Sequence, residues 1–156
     1  MRLRSLGKGA LVVVAVLSTM NIFRGWAVPL PGTLTSAMLA PFGMSLHTPS
    51  LPPTISRFQI AGEVGSLPDA RAATQIRYQY TDLTDPMGLF SPTALREDPV
   101  LNHDIQVYGH PVNLPVWIVS LEGLTMPASI GPAVDHEDNL VYDATSGQLL
   151  MGFSFR

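Results

Sequence analysis

Histidines and carboxylates are the residues of this chain that could do chemistry, and they fall into two short groups. Imidazole together with carboxylate is a ligand set that suits zinc or another divalent ion. Two or three of these side chains could meet in the fold and hold such an ion. The alternative, which we favour, is that they are solvated loop residues beside strands. The residues are His103, Asp104, His110, Asp135, His136, Glu137 and Asp138.

Motif spacing excludes the usual catalytic and metal-binding patterns. His136 begins a stretch like the HExxH metalloprotease motif, but Leu140 stands where the second histidine must be. Read as a calcium loop from Asp135, the chain has Leu140 where glycine is required and Ser146 where glutamate is required. There is also no glycine-rich phosphate loop. We therefore assign no catalytic, metal-binding or cofactor-binding residue, and we expect no cofactor.

Three further residues have functional side chains that we interpret structurally. Asp143 precedes a turn, where its carboxylate is expected to accept backbone N–H bonds rather than to attack a substrate. Trp117 lies in an apolar run and is expected in the core rather than on a ligand-binding surface. Glu122-Gly123 is interpreted as the end of a strand.

Strands are expected to position most of these residues. Thr74–Leu83 alternates aromatic or β-branched residues with polar ones, which predicts a strand with one wet face. Pro115–Gly123 is apolar at successive positions, which predicts a central strand covered on both faces. The sequence LVYDATSGQLL, residues 140–150, predicts a hairpin in which Gly147 takes positive φ.

Helix signals are shorter and weaker. Between Ile55 and Val64, Ser56 and Gln59 stand at capping-box spacing and apolar residues recur every three positions, so we predict a short helix. A strand over the same residues is the alternative, because Ile60 and Gly62 weaken the helical pattern. The stretch SPTALRED, residues 91–98, predicts one or two further helical turns, because a serine cap precedes a proline. The predicted apolar face of the first helix consists of Phe58, Ala61 and Val64.

A last strand is predicted over Asp104–Gly109, where Ile105 and Val107 share one face. Together these elements predict the α+β class. The expected architecture is a small antiparallel sheet of about four to five strands with one or two short helices. An export signal and a proline-rich segment are expected to precede it.

Composition and charge narrow the class of function. With 46% apolar and 13% charged residues, a chain of 156 residues can bury a core and is not disordered throughout. Residues 27–156 carry five arginines and no lysine against twelve acidic residues, a net charge of −7. Such a body repels phosphate backbones, so nucleic acid is excluded as a partner. The absence of cysteine excludes disulfides and thiolate metal sites.

Residues 1–27 have the organisation of an export signal. Three basic residues precede an apolar run over residues 10–23, which is shorter than the roughly 20 residues of a membrane span. Gly25 and Ala27 put small residues where a signal peptidase reads, so we predict cleavage after Ala27 and a secreted or extracytoplasmic location. An uncleaved membrane anchor is the alternative, because Arg24 lies just before that site.

Residues 28–54 contain six prolines and no charged residue. Proline at this density prevents a long helix and a central strand. We therefore predict a linker between the export signal and a domain over residues 55–156. The segment is also rich in apolar side chains, which favours an alternative in which it lies against the domain or a membrane surface.

The sequence PVWIVSLEG, followed further along by LVYDATSGQLL, resembles the carboxy-terminal half of PepSY-type domains over Pro115–Leu150. In that family a strand carrying Trp and Val precedes a hairpin closed by an Asp-Ala-x-Thr/Ser-Gly turn. The chain is also similar to small exported bacterial proteins that share this ending. The resemblance implies an extracytoplasmic α+β domain with a helix packed on an antiparallel sheet. It further implies an association with peptidase propeptides and an inhibitory or binding role.

Three classes of function remain open. The first, which the missing catalytic motifs favour, is a non-enzymatic exported binding or inhibitory module acting on a peptidase or cell-envelope protein. Its partner is expected to be a protein or peptide outside the cytoplasm, and the acidic body favours a basic one. The second is an extracytoplasmic divalent-metal-binding protein that uses His103, His110, His136 and nearby acids. The third is a hydrolase whose site is assembled from scattered residues.

Overall fold

A computed structural model describes residues 33–86, 90, 94–127 and 134–155. These residues form a five-stranded antiparallel sheet with short helices on both faces. Its strands are β1 (Ser45–His47), β2 (Gln75–Thr84), β3 (Leu114–Pro127), β4 (Val134–Asp143) and β5 (Leu149–Phe155). The helices are α1 (Ser36–Leu39), continued by a 3-10 turn (Ala40–Phe42), α2 (Arg57–Val64), α3 (Pro68–Ala72), α4 (Ala94–Glu97) and α5 (Pro99–Tyr108). The predicted α+β class is confirmed, although the described residues hold more helices than predicted.

The strands lie in the sheet in the order in which they occur in the chain, and each is antiparallel to its neighbour. The central strand is β3, whose successive side chains point to opposite faces. Val116 and Ile118 are buried in one core cluster, whereas Trp117, Val119 and Leu121 are buried in the other. This confirms that the apolar run is a central strand covered from both sides.

Helices cover both faces of the sheet. On one face, here called the α5 face, Leu101 of α5 is buried together with Leu39 of α1. On the other, here called the α2 face, Ile60 and Val64 of α2 are buried against Trp117. Burial of apolar area, at about 25 cal/mol per Å², holds the layers together. The face on which a strand residue lies therefore decides which helices its side chain meets.

Helix α2 begins as predicted but buries a different set of residues. The Oγ of Ser56 accepts from the Gln59 N–H, and the Oε1 of Gln59 accepts from the Ser56 N–H at 2.9 Å, which confirms the capping box. The helix buries Ile60 and Val64, whereas Phe58, predicted on the apolar face, is 87% exposed. The reason is that the side chains meeting the sheet follow an i, i+4 spacing from Ile60.

The stretch Asp104–Gly109, predicted as a strand, is instead the second half of α5 and its cap. Asp98 begins the helix, because its Oδ1 accepts two backbone N–H groups of the first turn at 3.0 and 2.8 Å. Pro99 occupies the first helical position, and Gly109 with φ of 78° ends the helix. These terminal signals outweigh a short β-branched alternation, so the strand prediction is wrong here.

Residues 33–47 pack on the sheet, so the folded domain starts before the boundary expected at residue 55. Leu39 and Met44 are buried in the core of the α5 face, and β1 pairs with the end of β2. Part of the segment 28–54 is therefore core and not linker. The apolar side chains that set this segment apart from a solvated tether are the ones that supply this packing.

The predicted export segment, residues 1–27, and its cleavage site lie outside the described residues. In the part of the chain that the structure describes, no helix is long and apolar enough to cross a membrane.

The predicted helical turns over residues 91–98 are observed as α4, but their serine cap is likewise outside the described residues.

Two glycines with positive φ shape the second half of the sheet. Gly147 has φ of 79°, as predicted, and its N–H donates to the Asp143 carbonyl at 2.9 Å to close the β4–β5 turn. Gly123 has φ of 74°, and a Cβ there would collide with the Thr74 side chain. Strand β3 continues past Gly123 through a bulge, so the expectation that Glu122-Gly123 ends the strand is corrected.

Candidate functional site

The histidine and acidic residues considered for metal chemistry lie on separate elements. His103 and Asp104 belong to α5, and His110 follows it. Residues 135–138 lie within β4 rather than in a loop, so their side chains alternate between the two faces. Among the described residues, no three His, Asp or Glu side chains come together in a group that could hold a metal ion.

Each of the β4 residues has its own surroundings. The Nδ1 of His136 lies 2.8 Å from the Leu124 carbonyl oxygen. Glu137 is buried on the α5 face. On the opposite face, burial and then the charge of Asp69 raise the pKa of the Asp138 carboxyl. The strand therefore disperses these groups over both sides of the sheet.

A buried pair of carboxylates joins the β4–β5 turn to α5. Asp143 and Asp98 are fully buried, and Ser146 connects them. The Ser146 N–H donates to Asp143 Oδ1 at 2.9 Å, and its hydroxyl donates to Asp98 Oδ2 at 2.7 Å. Burial is the largest influence and raises the pKa of Asp143; backbone bonds from the turn lower it, and the Asp98 charge raises it. The predicted turn role of Asp143 is confirmed.

We expect Asp143→Asn to stabilise the protein near neutral pH by about 1 kcal/mol, because the amide keeps the Oδ1 acceptor and removes a buried charge. A carboxyl whose pKa is raised by folding favours the folded state while it is protonated, and this contribution is lost as pH rises through the folded pKa. The gain should therefore shrink as pH falls toward about 3.9, the usual aspartate pKa. Urea unfolding at several pH values measures it.

The matched control for this variant is Glu97→Gln, which removes the same charge from the exposed surface of α4. Surface substitutions of this kind change stability by at most about 0.5 kcal/mol, so its effect should be small at every pH. A gain for Asp143→Asn that stays constant over the whole pH range would contradict our assignment of the raised pKa.

A row of polar side chains crosses the α5 face near one end of the sheet, and sequence reasoning missed it. Arg77 of β2 forms an ion pair with Glu122 of β3, which lies directly across from Glu137 of β4. The Ser120 hydroxyl donates to Asn139 Oδ1 at 2.6 Å. The sequence could have revealed this row, because side chains alternate between the two faces of a strand and these residues fall on the same face. The row specifies the strand register, because a one-residue slip would move these groups to the apolar α2 face.

The candidate functional site is the outer edge of β2. Strand β1 pairs only with Asp82–Thr84, the last three residues of β2. Within the described part of the chain, residues 75–81 have no strand on that side. Strand β1 ends at His47, and Pro49, two residues further on, has no N–H to donate. An unpaired strand edge presents backbone N–H and C=O groups that another strand can bind.

The hydrogen-bond pattern shows which residues of β2 present these groups. The Ala144 N–H donates to the Pro115 carbonyl at 2.9 Å, so the backbone groups of Pro115 point toward β4. Because the N–H and C=O groups of an antiparallel strand alternate in direction from one residue to the next, every second residue after Pro115 also points its backbone groups toward β4. The β2 residues opposite those positions direct their own backbone groups away from the sheet. They are Ile76, Tyr78 and Tyr80, and we call these three residues the β2 edge.

Aromatic side chains of the β2 edge lie on the α2 face. The Arg57 guanidinium, at the start of α2, lies 4.8 Å from the centroid of the Tyr78 ring. Tyr80 packs on Trp117 with ring centroids 5.3 Å apart, and its hydroxyl donates to the Leu51 carbonyl at 2.6 Å. Burial and then a neighbouring carboxylate raise the pKa of Tyr80, so the hydroxyl remains a neutral donor.

A large apolar side chain beside this surface is exposed to solvent. Leu51, whose carbonyl binds the Tyr80 hydroxyl, is 72% exposed. Such a side chain can add apolar contact to a segment that lies along the edge. The edge thus combines main-chain hydrogen-bonding groups with apolar contact surface.

The geometry of the β2 edge suits recognition through main-chain hydrogen bonds and flat aromatic contacts. No protein family model, curated protein or solved structure matches the chain. The resemblance of Pro115–Leu150 to PepSY-type domains therefore stays a prediction.

Proposed function

We propose that the protein is a non-enzymatic, exported binding or inhibitory module that captures an extended segment of a partner protein outside the cytoplasm. The segment adds to the sheet as a strand alongside β2. The observation that carries the proposal is the β2 edge, whose backbone groups point outward beside the exposed Leu51 side chain. The resemblance of Pro115–Leu150 to PepSY-type domains and the predicted export signal support this role and point to a peptidase or cell-envelope protein as partner.

Strand addition supplies the affinity without any catalytic side chain. Each residue of the β2 edge offers one N–H and one C=O, and each backbone hydrogen bond contributes about 0.5–1.5 kcal/mol net. Alternate side chains of the bound segment lie on the α2 face, where the Tyr78 ring and the exposed Leu51 side chain offer apolar surface. Backbone pairing thus provides affinity, and these side chains provide selectivity.

A fluorescently labelled peptide of alternating valine and threonine should bind the purified chain, as measured by fluorescence anisotropy. The same peptide, N-methylated at the positions that face β2, should bind at least about tenfold more weakly, because each lost hydrogen bond weakens binding by about 0.5–1.5 kcal/mol. Equal binding of the two peptides would contradict strand addition.

The protein side of the contact is tested by Ile76→Pro. Proline removes an N–H that points outward and leaves the hydrogen bonds between β2 and β3 in place, which an edge strand tolerates. Binding should weaken about tenfold, whereas Ile76→Val, which keeps the N–H, should bind like the unaltered chain. Thermal unfolding of both variants checks the fold. Turnover of generic protease, esterase or glycosidase substrates that disappears in Asp143→Ala or His136→Ala would favour an enzyme instead.

A further inference from the structure

Resting on the proposed function, we propose that the segment bound at the β2 edge carries an acidic side chain opposite Tyr78, with apolar side chains two residues away on either side. The partner is therefore an extended peptide with an apolar-x-acidic-x-apolar pattern. This pattern follows from three features of the surface: the position of Arg57, the pairing geometry of Tyr78 and the apolar surface at Ile76, Tyr80 and Leu51.

The position of Arg57 favours an incoming carboxylate. Its side chain is exposed, and its guanidinium lies over the Tyr78 ring at 4.8 Å. Among the described residues, no carboxylate forms an ion pair with it, in contrast to Arg77, which pairs with Glu122. Arginine binds a carboxylate through two parallel N–H···O bonds, and a guanidinium stacked on a ring keeps its donors free for this purpose.

Pairing geometry brings the acidic side chain to this guanidinium. The backbone groups of Tyr78 point outward, so a residue of the bound segment lies directly opposite it. Side chains of directly opposite residues share a face and have Cβ atoms roughly 4.5–5.5 Å apart. The side chain opposite Tyr78 therefore lies on the α2 face, beside the ring that Arg57 covers.

The flanking positions of the segment meet apolar surface. Residues two positions away lie opposite Ile76 and Tyr80, and both of these side chains pack with the core of the α2 face. Leu51, exposed and bound to the Tyr80 hydroxyl through its carbonyl, extends the surface at one end. Burying an apolar side chain at these positions strengthens binding, whereas burying a polar side chain there does not.

The charge of Arg57 should affect binding at this surface more than the net charge of the protein does. Residues 27–156 carry a net charge of −7, which attracts basic partners at long range. Charges farther away than the Debye length, about 8 Å at physiological salt, are largely screened. Arg57 is in direct contact with the bound strand, so its charge decides which segment binds more tightly.

The test uses three labelled peptides, Thr-Leu-Thr-Glu-Thr-Leu-Thr and its counterparts with Gln or Lys at the centre, in anisotropy titrations against the full chain. The Glu peptide should bind about fivefold more tightly than the Gln peptide, and the Lys peptide should bind most weakly. In Arg57→Glu the order should reverse. This variant should fold, because an acidic residue at the first position of a helix is favourable.

The matched control is Arg96→Glu, which makes the same change of charge on α4, next to β5 at the opposite edge of the sheet. The order of the three peptides should be unchanged in this variant. If none of the peptides binds, the proposed function fails. If all bind equally, or if the Lys peptide binds best to the unaltered chain, strand addition stands and the acidic preference is overturned. Sedimentation showing dimers that Ile76→Pro dissociates would make a second copy the occupant and overturn the peptide assignment.

Discussion

Trp117→Ala should lower the free energy of unfolding by about 3 to 5 kcal/mol, the range for removing a large aromatic side chain from a core. Trp117 is 8% exposed on the central strand, and its ring packs on Tyr80. Its Nε1–H donates to the Ile55 carbonyl at 2.8 Å, which ties the start of α2 to the sheet. Urea unfolding of the two proteins under identical conditions measures the difference.

Trp117→Phe is the matched control because it keeps an aromatic ring against Tyr80 and removes the indole N–H. It should lose about 1 to 3 kcal/mol, because the partly buried Ile55 carbonyl is left without its donor. The loss should be smaller than that of the alanine variant. An unchanged melting temperature for Trp117→Ala would mean that β3 does not occupy the centre of the sheet.

Asp98→Ala should lower the free energy of unfolding by about 2 to 3 kcal/mol, since it removes a helix cap and leaves buried donors without acceptors. Asp98 accepts two N–H groups at the start of α5 and the hydroxyl of Ser146. Loss of the repulsion between Asp98 and Asp143 offsets a part of this effect. Circular dichroism at increasing urea concentration measures stability and helix content together.

Asp98→Ser separates capping from the contact with Ser146. Serine is a good helix cap but is too short to replace both carboxylate oxygens, so this variant should lose less than half as much stability as the alanine variant. If serine and alanine destabilised the protein equally, the bond to Ser146, and not the cap, would be the stabilising interaction.

Elements with a strong local signal were predicted from the sequence. The turn at Gly147 depends on contacts within a few residues. The alternation in β2 and the apolar run in β3 reflect which faces of each strand are buried. Helix α5 was misread because the prediction rested on residues 104–109 alone, a stretch too short to distinguish two periodicities. The decisive signals, Asp98 as cap and Pro99 at the first position, lie before it.

The candidate site could not be predicted in the same way. Alternation in β2 indicates which side chains share a face, but not which edge of the strand lacks a partner. That edge is defined by a three-residue β1, by Pro49 and by the bonding register set between Ala144 and Pro115. Each of these features depends on contacts between residues far apart in the chain, and no local pattern in a single sequence reveals them.

The order of the strands has a consequence for the order of folding. Strands β3, β4 and β5 are joined by short connections, whereas β2 meets β3 only after a loop closure across residues 85–113. The entropy of closing a loop rises with its length, and sheets rich in local pairings form faster. We therefore expect β3, β4 and β5 to assemble as an early nucleus and β2 to join it later. The surface that would receive a partner strand is then completed near the end of folding, after β3, β4 and β5 have paired with one another.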